Sequence, residues 1–364
     1  MLIVMYDSIE LLATLSNLPG PSGHEDEVRK FVLTESTKHT KRISADSMGN
    51  VFAEIQGTNG SPRVLVSAHM DEVGFIITYV EDSGFLRFAT LGRIDTRVLP
   101  GQRVVFQVSE GLHGIIGSKP PHALTPDEVK KSLELRDLYI DIGASSRADV
   151  TKLGIGVGSV ATFDMHFTRT GSKSLVMGKA FDDRAGCTAA LMAMEFLSQN
   201  PPSATTVFAF TVQEEVGMRG AKVAAEHVHP QAAVVLETTA ALDCPDVEPR
   251  DRLLSLGLGP ALRVMDASMI TQKVMLGYVS EVAEKNRIPY QFHVSLGAST
   301  EAGPVHLSGE GVPTCVLSTP CRYLHSPALV LSIEDLNRLP KLVEAVIRGI
   351  DQTDKFGYKV REAF

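Results

Sequence analysis

Residues 205–217 read Thr-Thr-Val-Phe-Ala-Phe-Thr-Val-Gln-Glu-Glu-Val-Gly, and they give the clearest signal of the fold class. The first eight residues are apolar or β-branched, a composition that predicts a buried strand. The strand is followed almost at once by two adjacent carboxylates, Glu214 and Glu215. In α/β proteins, functional side chains gather at the carboxyl ends of strands. The stretch therefore indicates an α/β fold with a site at this strand end.

Glu214 and Glu215 admit two interpretations. Adjacent carboxylates repel each other unless something positive lies beside them, and a metal ion would provide that charge. One glutamate would then bind the metal, and the other would act as a general base for a water molecule. Glutamate pairs are also common on solvated helix faces, so the pair alone does not decide between a site and a surface.

The composition is that of an ordinary globular protein, with 44% hydrophobic and 21% charged residues among 364, enough for two domains. The net charge of −8 argues against nucleic acid or an anionic membrane as a partner, and it suits substrates with a positively charged amino terminus. No signal peptide or apolar run of the ~20 residues that cross a bilayer is evident. The four cysteines show no Cys-x-x-Cys spacing. A cytoplasmic location is therefore expected.

Helix and strand patterns alternate near both ends of the chain. A helical periodicity over residues 7–18 precedes a buried-looking strand at 63–68, and helix–strand alternation resumes after residue 182. The last strand is expected at 314–318, and a closing helix at about 333–352. These patterns predict a three-layer α/β/α domain.

The middle of the chain has a different texture. Between residues 73 and 163, short β-branched runs alternate with closely spaced glycines, which predicts a small β-barrel. We therefore expect an α/β domain formed by residues 1–72 and 164–364, with a β-barrel domain inserted at 73–163. Because the inserted segment is too glycine-rich and short-stranded to serve chemistry, it is expected to form a dimer interface.

Metal-capable side chains end a strand or start a helix at five places in the α/β part. These places are His69, Asp182, the Glu214–Glu215 pair, Glu237 and His325. Two histidines and three carboxylates are the ligand set of a two-metal hydrolase, and nitrogen and oxygen ligands favour zinc, cobalt or manganese. Asp71 extends the set, because a carboxylate two residues beyond His69 can orient its imidazole.

Each of these positions also has a structural interpretation. A lone strand-end histidine such as His69 is more often structural than ligating, and Asp182 could simply cap a helix. Glu237 is more specific, because a carboxylate that closes a buried strand needs a cation or several donors. The interpretation as a metal site rests on four of the five positions falling at strand ends of one domain.

Seven motifs distributed over the chain form a recognisable set. They are Pro-Ser-Gly-His-Glu (21–25), Asp-Ser-Met-Gly-Asn (46–50), Ala-His-Met-Asp-Glu-Val-Gly (68–74), Lys-Pro-Pro-His (119–122), Ala-Phe-Asp-Asp-Arg (180–184), Val-Gln-Glu-Glu-Val-Gly (212–217) and Arg-Tyr-Leu-His-Ser (322–326). In these motifs the sequence resembles the tetrahedral (TET) aminopeptidases, also called glutamyl aminopeptidases, some of which were once labelled endoglucanases. The resemblance covers essentially the whole chain.

The resemblance implies a set of ligands for two metal ions, with Asp182 bridging them. The ligands would be His69, Asp182, Glu215, Glu237 and His325. His69 and Glu237 would serve one ion, and Glu215 and His325 would serve the other.

The resemblance also implies the order of roles within the glutamate pair, which the residue pattern left open. Glu214 would be the general base, and Glu215 would be the ligand. Asp71 would hold His69 in one tautomer. The peptide bond between Asp182 and Asp183 would be cis.

Two residues depart from the family pattern. The family usually has aspartate where this chain has Glu237, so the metal there could shift or be bound with a different denticity. It also has Gly-Thr-Asp-Ala-Gly where residues 299–303 read Ser-Thr-Glu-Ala-Gly. The resemblance places Glu301 in a loop near the substrate, so an effect on specificity is expected there.

The sequence and the resemblance together predict a cytoplasmic aminopeptidase with two divalent ions, zinc or cobalt first and manganese next. It would remove amino-terminal residues from peptides, and its dimers would assemble into a hollow tetrahedral dodecamer. Another di-metal amidohydrolase, such as a deacylase or a carboxypeptidase, is the main alternative. A glycosidase fits less well, because its two carboxyl groups need no metal and the histidines would be superfluous. A catalytically inactive assembly subunit is the remaining alternative, although Glu214 is present.

Overall fold

The fold combines a large mixed sheet, flanked by helices, with a closed β-barrel. A computed structural model describes residues 6–108, 111–353 and 356. Its helices are α1 (Ser8–Asn17), α2 (Asp26–Ser36), α3 (Pro126–Val129), α4 (Arg147–Lys152), α5 (Phe181–Gln199), α6 (Arg219–Val228), α7 (Lys273–Lys285), α8 (Ala302–His306) and α9 (Ile333–Arg348). Its strands are β1 (Ile43–Ala45), β2 (Val51–Ile55), β3 (Arg63–His69), β4 (Gly74–Val80), β5 (Leu86–Leu91), β6 (Arg103–Phe106), β7 (Leu112–Ser118), β8 (Leu138–Asp141), β9 (Val160–Phe163), β10 (Thr168–Arg169), β11 (Leu175–Gly178), β12 (Thr205–Thr211), β13 (Ala232–Ala240), β14 (Ala261–Met265), β15 (Gln291–Val294), β16 (Thr314–Arg322) and β17 (Leu329–Ser332). No helix in these ranges is long and apolar enough to cross a membrane.

The large sheet brings the carboxyl ends of its central strands to one edge. Its strands run in the order β1-β2-β12-β3-β13-β16-β17-β11-β10, and β14 and β15 extend it from β16. The four central strands, β12, β3, β13 and β16, are parallel. The register places His69 opposite Thr211, and Glu237 opposite Ser318. A site at this edge can therefore draw side chains from several strands.

Alternating side chains of the central strands bury both faces of the sheet. On β12, Phe208 and Phe210 belong to the core that includes α1, α2, α5, α7 and α9, whereas Val207 and Ala209 pack with α6. Every residue of β12 is buried, as expected for a strand covered on both sides. The predicted three-layer α/β/α arrangement is confirmed.

The barrel lies between Gly74 and Phe163. Within the described part of that segment, six strands close in the order β4-β5-β8-β7-β6-β9. Phe75 is fully buried in the barrel core and makes edge-to-face contacts with Phe88 and Phe163, at ring-centroid distances of 5.3 and 5.1 Å. The predicted β-barrel is confirmed, and the division into domains after residues 72 and 163 stays a prediction.

The expected last strand at 314–318 is wrong in two respects. β16 continues to Arg322 because β13 runs beside it, with Ala240 opposite Cys321. β17 then follows and pairs antiparallel with both β16 and β11. Pro320 conceals the continuation in the sequence, because a proline supplies no amide to the strand ladder. His325 therefore lies between β16 and β17 and not beyond the last strand.

Candidate metal centre

The residues singled out from the sequence meet at the carboxyl edge of the central strands. They are His69, Asp71, Asp182, Glu214, Glu215, Glu237 and His325. β3 and β13 supply a histidine and a glutamate directly, the loop after β12 supplies the glutamate pair, and α5 supplies the aspartate in its first turn. Because these elements are far apart in sequence, the site forms only when the sheet is complete.

Asp182 lies between the two histidines. Its Oδ1 is 3.4 Å from Nε2 of His69, and its Oδ2 is 3.1 Å from Nε2 of His325. The same nitrogen of His325 is 3.4 Å from Oε2 of Glu215. A carboxylate with one oxygen directed at each imidazole is placed to bridge two cations.

The potential ligands fall into three groups, in each of which the ligand atoms lie within 4.8 Å of one another. Two of the groups share Asp182. One comprises Asp182, His69 and Glu237, and the other comprises Asp182, Glu215 and His325. The third group does not include Asp182 and comprises His69, Glu214 and Glu215.

The acidic side chains of this cluster need a positive charge that the described residues do not fully supply. Burial raises the pKa of Glu215 to about 7, and it raises the pKa of Glu237 well above its usual range. One oxygen of each of these side chains, and Oδ1 of Asp182, is buried without a hydrogen-bond partner among the described residues. Unpaired buried oxygens are costly, and divalent cations would satisfy them. The residues present therefore fit a metal site.

The two histidines respond to the same carboxylates. Burial lowers the pKa of His325, but Glu215 and Asp182 outweigh burial and raise it to about 9. Burial likewise opposes the charge of His69, yet Asp182 and Asp71 hold its pKa well above the usual value. The carboxylates that favour a positive charge on these imidazoles would equally favour a metal ion at their nitrogen atoms.

Asp71 connects His69 to the glutamate pair. Nδ1 of His69 lies 3.1 Å from the backbone oxygen of Asp71 and 3.3 Å from its Oδ1. The carboxylate also accepts the amides of Glu214 at 2.9 Å and Glu215 at 3.1 Å. A proton held on Nδ1 leaves Nε2 free to bind a metal. Asp71 therefore orients both the imidazole of His69 and the turn that carries Glu214 and Glu215.

Unusual backbone conformations border the site. Ala180, Gln213 and His325 have φ angles of +56°, +56° and +54°, in a region that residues with side chains seldom adopt. Such conformations cluster at functional sites, where the surroundings hold them in place. The peptide bond between Asp182 and Asp183 is cis, as the resemblance implied.

A buried ion cluster supports the segment after His69, and the sequence reasoning gave it no role. Nζ of Lys179 lies 2.6 and 2.7 Å from the two carboxylate oxygens of Glu72. Arg184 is fully buried, donates its Nε to the carbonyl of Met70 at 2.9 Å, and has Nη2 3.6 Å from Glu72. Glu72 lies in the motif at 68–74 and Arg184 in the motif at 180–184, so their place in these motifs could have pointed to a role for both residues.

The barrel also reaches the site, through Gly92. A Cβ at this position would lie 3.1 Å from Oε2 of Glu215 and 2.8 Å from Cγ1 of Val73, and the φ of Gly92 is +82°. Both the space and the conformation therefore require glycine. The barrel thus lies against Glu215, one of the potential metal ligands.

Glu301, the second departure from the family pattern, is buried at the end of β12 and near the candidate ligands. Its side chain is fully buried, and Thr211, at the end of β12, donates its hydroxyl to Oε1 of Glu301. Burial raises the pKa of Glu301. Its charge acts on His69 and Asp71, and its Oε2 has no hydrogen-bond partner among the described residues. The expected effect of Glu301 on specificity stays a prediction.

Arg263, on β14, is a buried cation near the cluster that was also missed. It is 2% exposed, and its Nε and Nη1 have no hydrogen-bond partner among the described residues. Burial lowers its pKa, and the charge of Glu237 opposes that shift. Arg263 therefore partly balances the negative charge on this side of the site.

Several solved structures that are similar to this chain are named as aminopeptidases or peptidases. An aminopeptidase from the archaeon Desulfurococcus kamchatkensis is 39% identical, with 94% of each chain covered and a TM-score of 0.89. A TET aminopeptidase from a marine-sediment Thaumarchaeota archaeon is 38% identical, with 97% of this chain and 99% of that chain covered and a TM-score of 0.93. A TET peptidase of Pyrococcus horikoshii that can assemble into a tetrahedron or a large octahedral shell is 36% identical, with 94% and 100% covered and a TM-score of 0.84.

The fold and these likenesses define the class of the protein as an aminopeptidase, a hydrolase of peptide bonds. Residues 49–342 match the family model described as M42 glutamyl aminopeptidase, and the chain belongs to that family. The resemblance seen in the sequence motifs is confirmed.

Proposed function

We propose that this protein is a metal-dependent aminopeptidase that releases amino-terminal residues from peptides in the cytoplasm. The observation that carries the proposal is that two groups of potential ligands share the carboxylate of Asp182. His69 and Glu237 complete one group, and Glu215 and His325 complete the other. A shared carboxylate can bridge two neighbouring metal ions through its two oxygens.

The five residues of these two groups would hold two divalent ions. Their nitrogen and oxygen donors favour zinc or cobalt, with manganese as a further candidate. When bound, such ions acidify a water molecule and polarise the carbonyl of the scissile peptide bond. The unpaired buried oxygens of Asp182, Glu215 and Glu237 support this assignment.

Glu214 is assigned the role of general base. Its carboxylate lies in the group with His69 and Glu215, and burial raises its pKa well above the usual range. A carboxylate with a raised pKa can take the proton of the attacking water and then pass it to the leaving amine. Asp71 would fix the position of this base through the Glu214 amide, which it accepts at 2.9 Å.

The alternatives are less well supported. A glycosidase would need two carboxyl groups on either side of a sugar, whereas here His69 and His325 stand on either side of Asp182. An inactive subunit would be expected to have lost Glu214 or a ligand, and all of them are present. A deacylase or a carboxypeptidase would use the same cluster, but membership of an aminopeptidase family argues against both.

Metal removal tests the proposal directly. Treatment with EDTA is expected to abolish hydrolysis of aminoacyl chromogenic substrates, and zinc, cobalt or manganese is expected to restore it. Elemental analysis gives the metal content, and circular dichroism reports whether the fold persists. The matched control is the same substrate with an acetylated α-amine, which should not be cleaved. Full activity in protein shown to be metal-free, or equal cleavage of the acetylated substrate, would contradict the proposal.

The barrel is proposed to form a dimer interface from which a tetrahedral dodecamer is built. Large apolar side chains are exposed on the barrel segment, among them Tyr79, Ile115, Leu153 and Val157. Exposed apolar surface of this kind marks interaction sites, and a closed assembly must present self-complementary patches. Assembly into a tetrahedron by the similar Pyrococcus horikoshii peptidase supports the same arrangement here.

Light scattering coupled to size-exclusion chromatography tests this assembly. The metal-loaded protein is expected to elute with a mass many times the 39.3 kDa of one chain. Ile115→Glu and Val157→Glu place charges on the exposed barrel surface and are expected to yield smaller species. Val274→Glu, on the exposed surface of α7, is a control outside the barrel. A fully active monomer at micromolar concentration would refute the assembly.

A further inference from the structure

The loop of residues 19–25, between α1 and α2, lies directly against the segment that follows His69. Gly20 donates its amide to Oε1 of Glu72 at 2.9 Å and accepts the Glu72 amide at 3.0 Å. Pro21 forms a parallel β-bridge with the same residue. The 19–25 loop supplies none of the proposed ligands, yet it is joined to the site by backbone and side-chain hydrogen bonds.

Ser22 bonds the carboxylate that aligns the glutamate pair. Its hydroxyl donates to Oδ2 of Asp71 at 2.6 Å, and the same oxygen accepts the amide of Glu215 at 3.1 Å. The other oxygen accepts the amide of Glu214 at 2.9 Å. Ser22 is 6% exposed and Asp71 is fully buried, so water has little access to this network. Ser22 therefore fixes the orientation in which Asp71 receives both amides.

Glu25 holds the turn that precedes the glutamate pair. It is 1% exposed, and its Oε1 accepts the amides of Gly23 at 2.7 Å and Gln213 at 3.2 Å. Gln213 adopts a φ of +56°, which a residue with a side chain seldom does without support. This turn directs Glu214 and Glu215, the next two residues, into the site.

Burying the carboxylate of Glu25 costs free energy, so packing alone does not explain a glutamate at this position. Burial raises the pKa of Glu25, and the like charge of Asp71 adds to this effect. The nearest cation, Nη2 of Arg29, lies 3.6 Å from Oε2 of Glu25. An apolar side chain would avoid this cost but would leave the Gln213 amide without its acceptor.

We propose that Ser22 and Glu25 are positioning residues for the hydrolytic reaction. They hold the 213–215 turn and Asp71 so that the Glu214 carboxylate reaches the attacking water while Glu215 remains at its metal. The inference rests on the proposed aminopeptidase function and adds the 19–25 loop to its active centre. Neither residue touches the substrate in this scheme, since Ser22 acts through Asp71 and Glu25 acts through the 213–215 turn.

Substitutions of Glu25 distinguish its role as a hydrogen-bond acceptor from the effects of its negative charge and of its side-chain volume. Glu25→Ala is expected to lower kcat by about 10–100-fold, the usual effect of losing a partner behind a metal ligand, with KM and metal content close to wild type. Glu25→Gln is expected to restore most of kcat, because an amide oxygen can accept both backbone amides. Ser22→Ala should lower kcat less, since Asp71 keeps its two amide donors.

Steady-state kinetics, elemental analysis and thermal melting are measured on each variant. Glu27→Ala is the matched control, because Glu27 is exposed two positions away and should leave all three readouts unchanged. The inference is overturned if Glu25→Ala turns over like wild type, or if Glu25→Gln is as slow as Glu25→Ala. It is also overturned if the loss in Glu25→Ala coincides with lost metal or a collapsed melting transition. A wild-type chain without metal-dependent peptidase activity would refute the proposed function itself, so the two failures are distinguishable.

Discussion

Glu214→Gln is expected to lower turnover by about 10²–10⁴-fold while fold and metal content stay nearly unchanged. Glutamine has the shape of glutamate, and the backbone amide at this position can still donate to Asp71, as it does at 2.9 Å in the native chain. The variant loses only a carboxylate that can accept a proton, and burial raises the pKa of that carboxylate well above its usual range. The defect should therefore appear in kcat and not in KM.

Glu215→Gln provides the comparison within the same pair. Glu215 is grouped with Asp182 and His325, so loss of its charge is expected to lower metal content together with turnover. Glu281→Gln, on the exposed surface of α7, is the neutral control. Fully metal-loaded Glu214→Gln that retains activity within about tenfold of wild type would remove the base assignment. Metal loss in that variant instead of in Glu215→Gln would reverse the two roles.

The central strands and their ends could be predicted because their signal is local. The runs expected at 63–68 and 205–212 correspond to β3 and β12, each within one residue at its carboxyl end. Buried parallel strands are continuous apolar runs, and a polar residue that ends such a run stands out. That contrast is why His69 and Glu237 could be recognised as candidates before their neighbours were known.

What the sequence does not show is the set of contacts that join distant segments. The hydrogen bond from Gln213 to Glu25 spans 188 residues, and the bond from Ser22 to Asp71 spans 49. Ser22 and Glu25 belong to the quoted motif at 21–25, but their roles stay hidden until the fold brings their partners near. β17 was missed for a related reason, because its four residues gain their strand character from pairing with β11 and β16.

Glu237 could be recognised as a candidate ligand from the sequence, but whether the longer side chain still reaches the metal position depends on the structure. The glutamate is 5% exposed, its Oε1 lacks a hydrogen-bond partner among the described residues, and burial raises its pKa well above the usual range. Its group with His69 and Asp182 has ligand atoms within 4.8 Å of one another. The additional methylene, relative to the aspartate usual in the family, thus leaves the carboxylate within reach of a shared metal.

Glu237→Ala is accordingly expected to lose one metal ion per chain and, with it, nearly all activity. The remaining His69 and Asp182 would offer that ion only two protein ligands, and fewer ligands bind a divalent ion more weakly. Glu237→Asp should keep both ions and retain activity, because it restores the donor common in the family. Without metal, the alanine variant should melt no lower than the metal-free parent, since it removes a buried carboxylate whose Oε1 has no hydrogen-bond partner among the described residues.

Elemental analysis of metal per chain, paired with kcat on an aminoacyl chromogenic substrate, decides the assignment of Glu237. Because alanine and aspartate both shorten the side chain, a difference between these variants reports the carboxylate and not the lost volume. Two ions per chain in Glu237→Ala would mean that the carboxylate is only a buried side chain of β13 and not a ligand. Equal metal loss in Glu237→Asp would mean that the longer side chain is required and that this site is built differently from its relatives. If only the alanine variant loses an ion, the pairing of His69 with Glu237 on one side of Asp182 is supported.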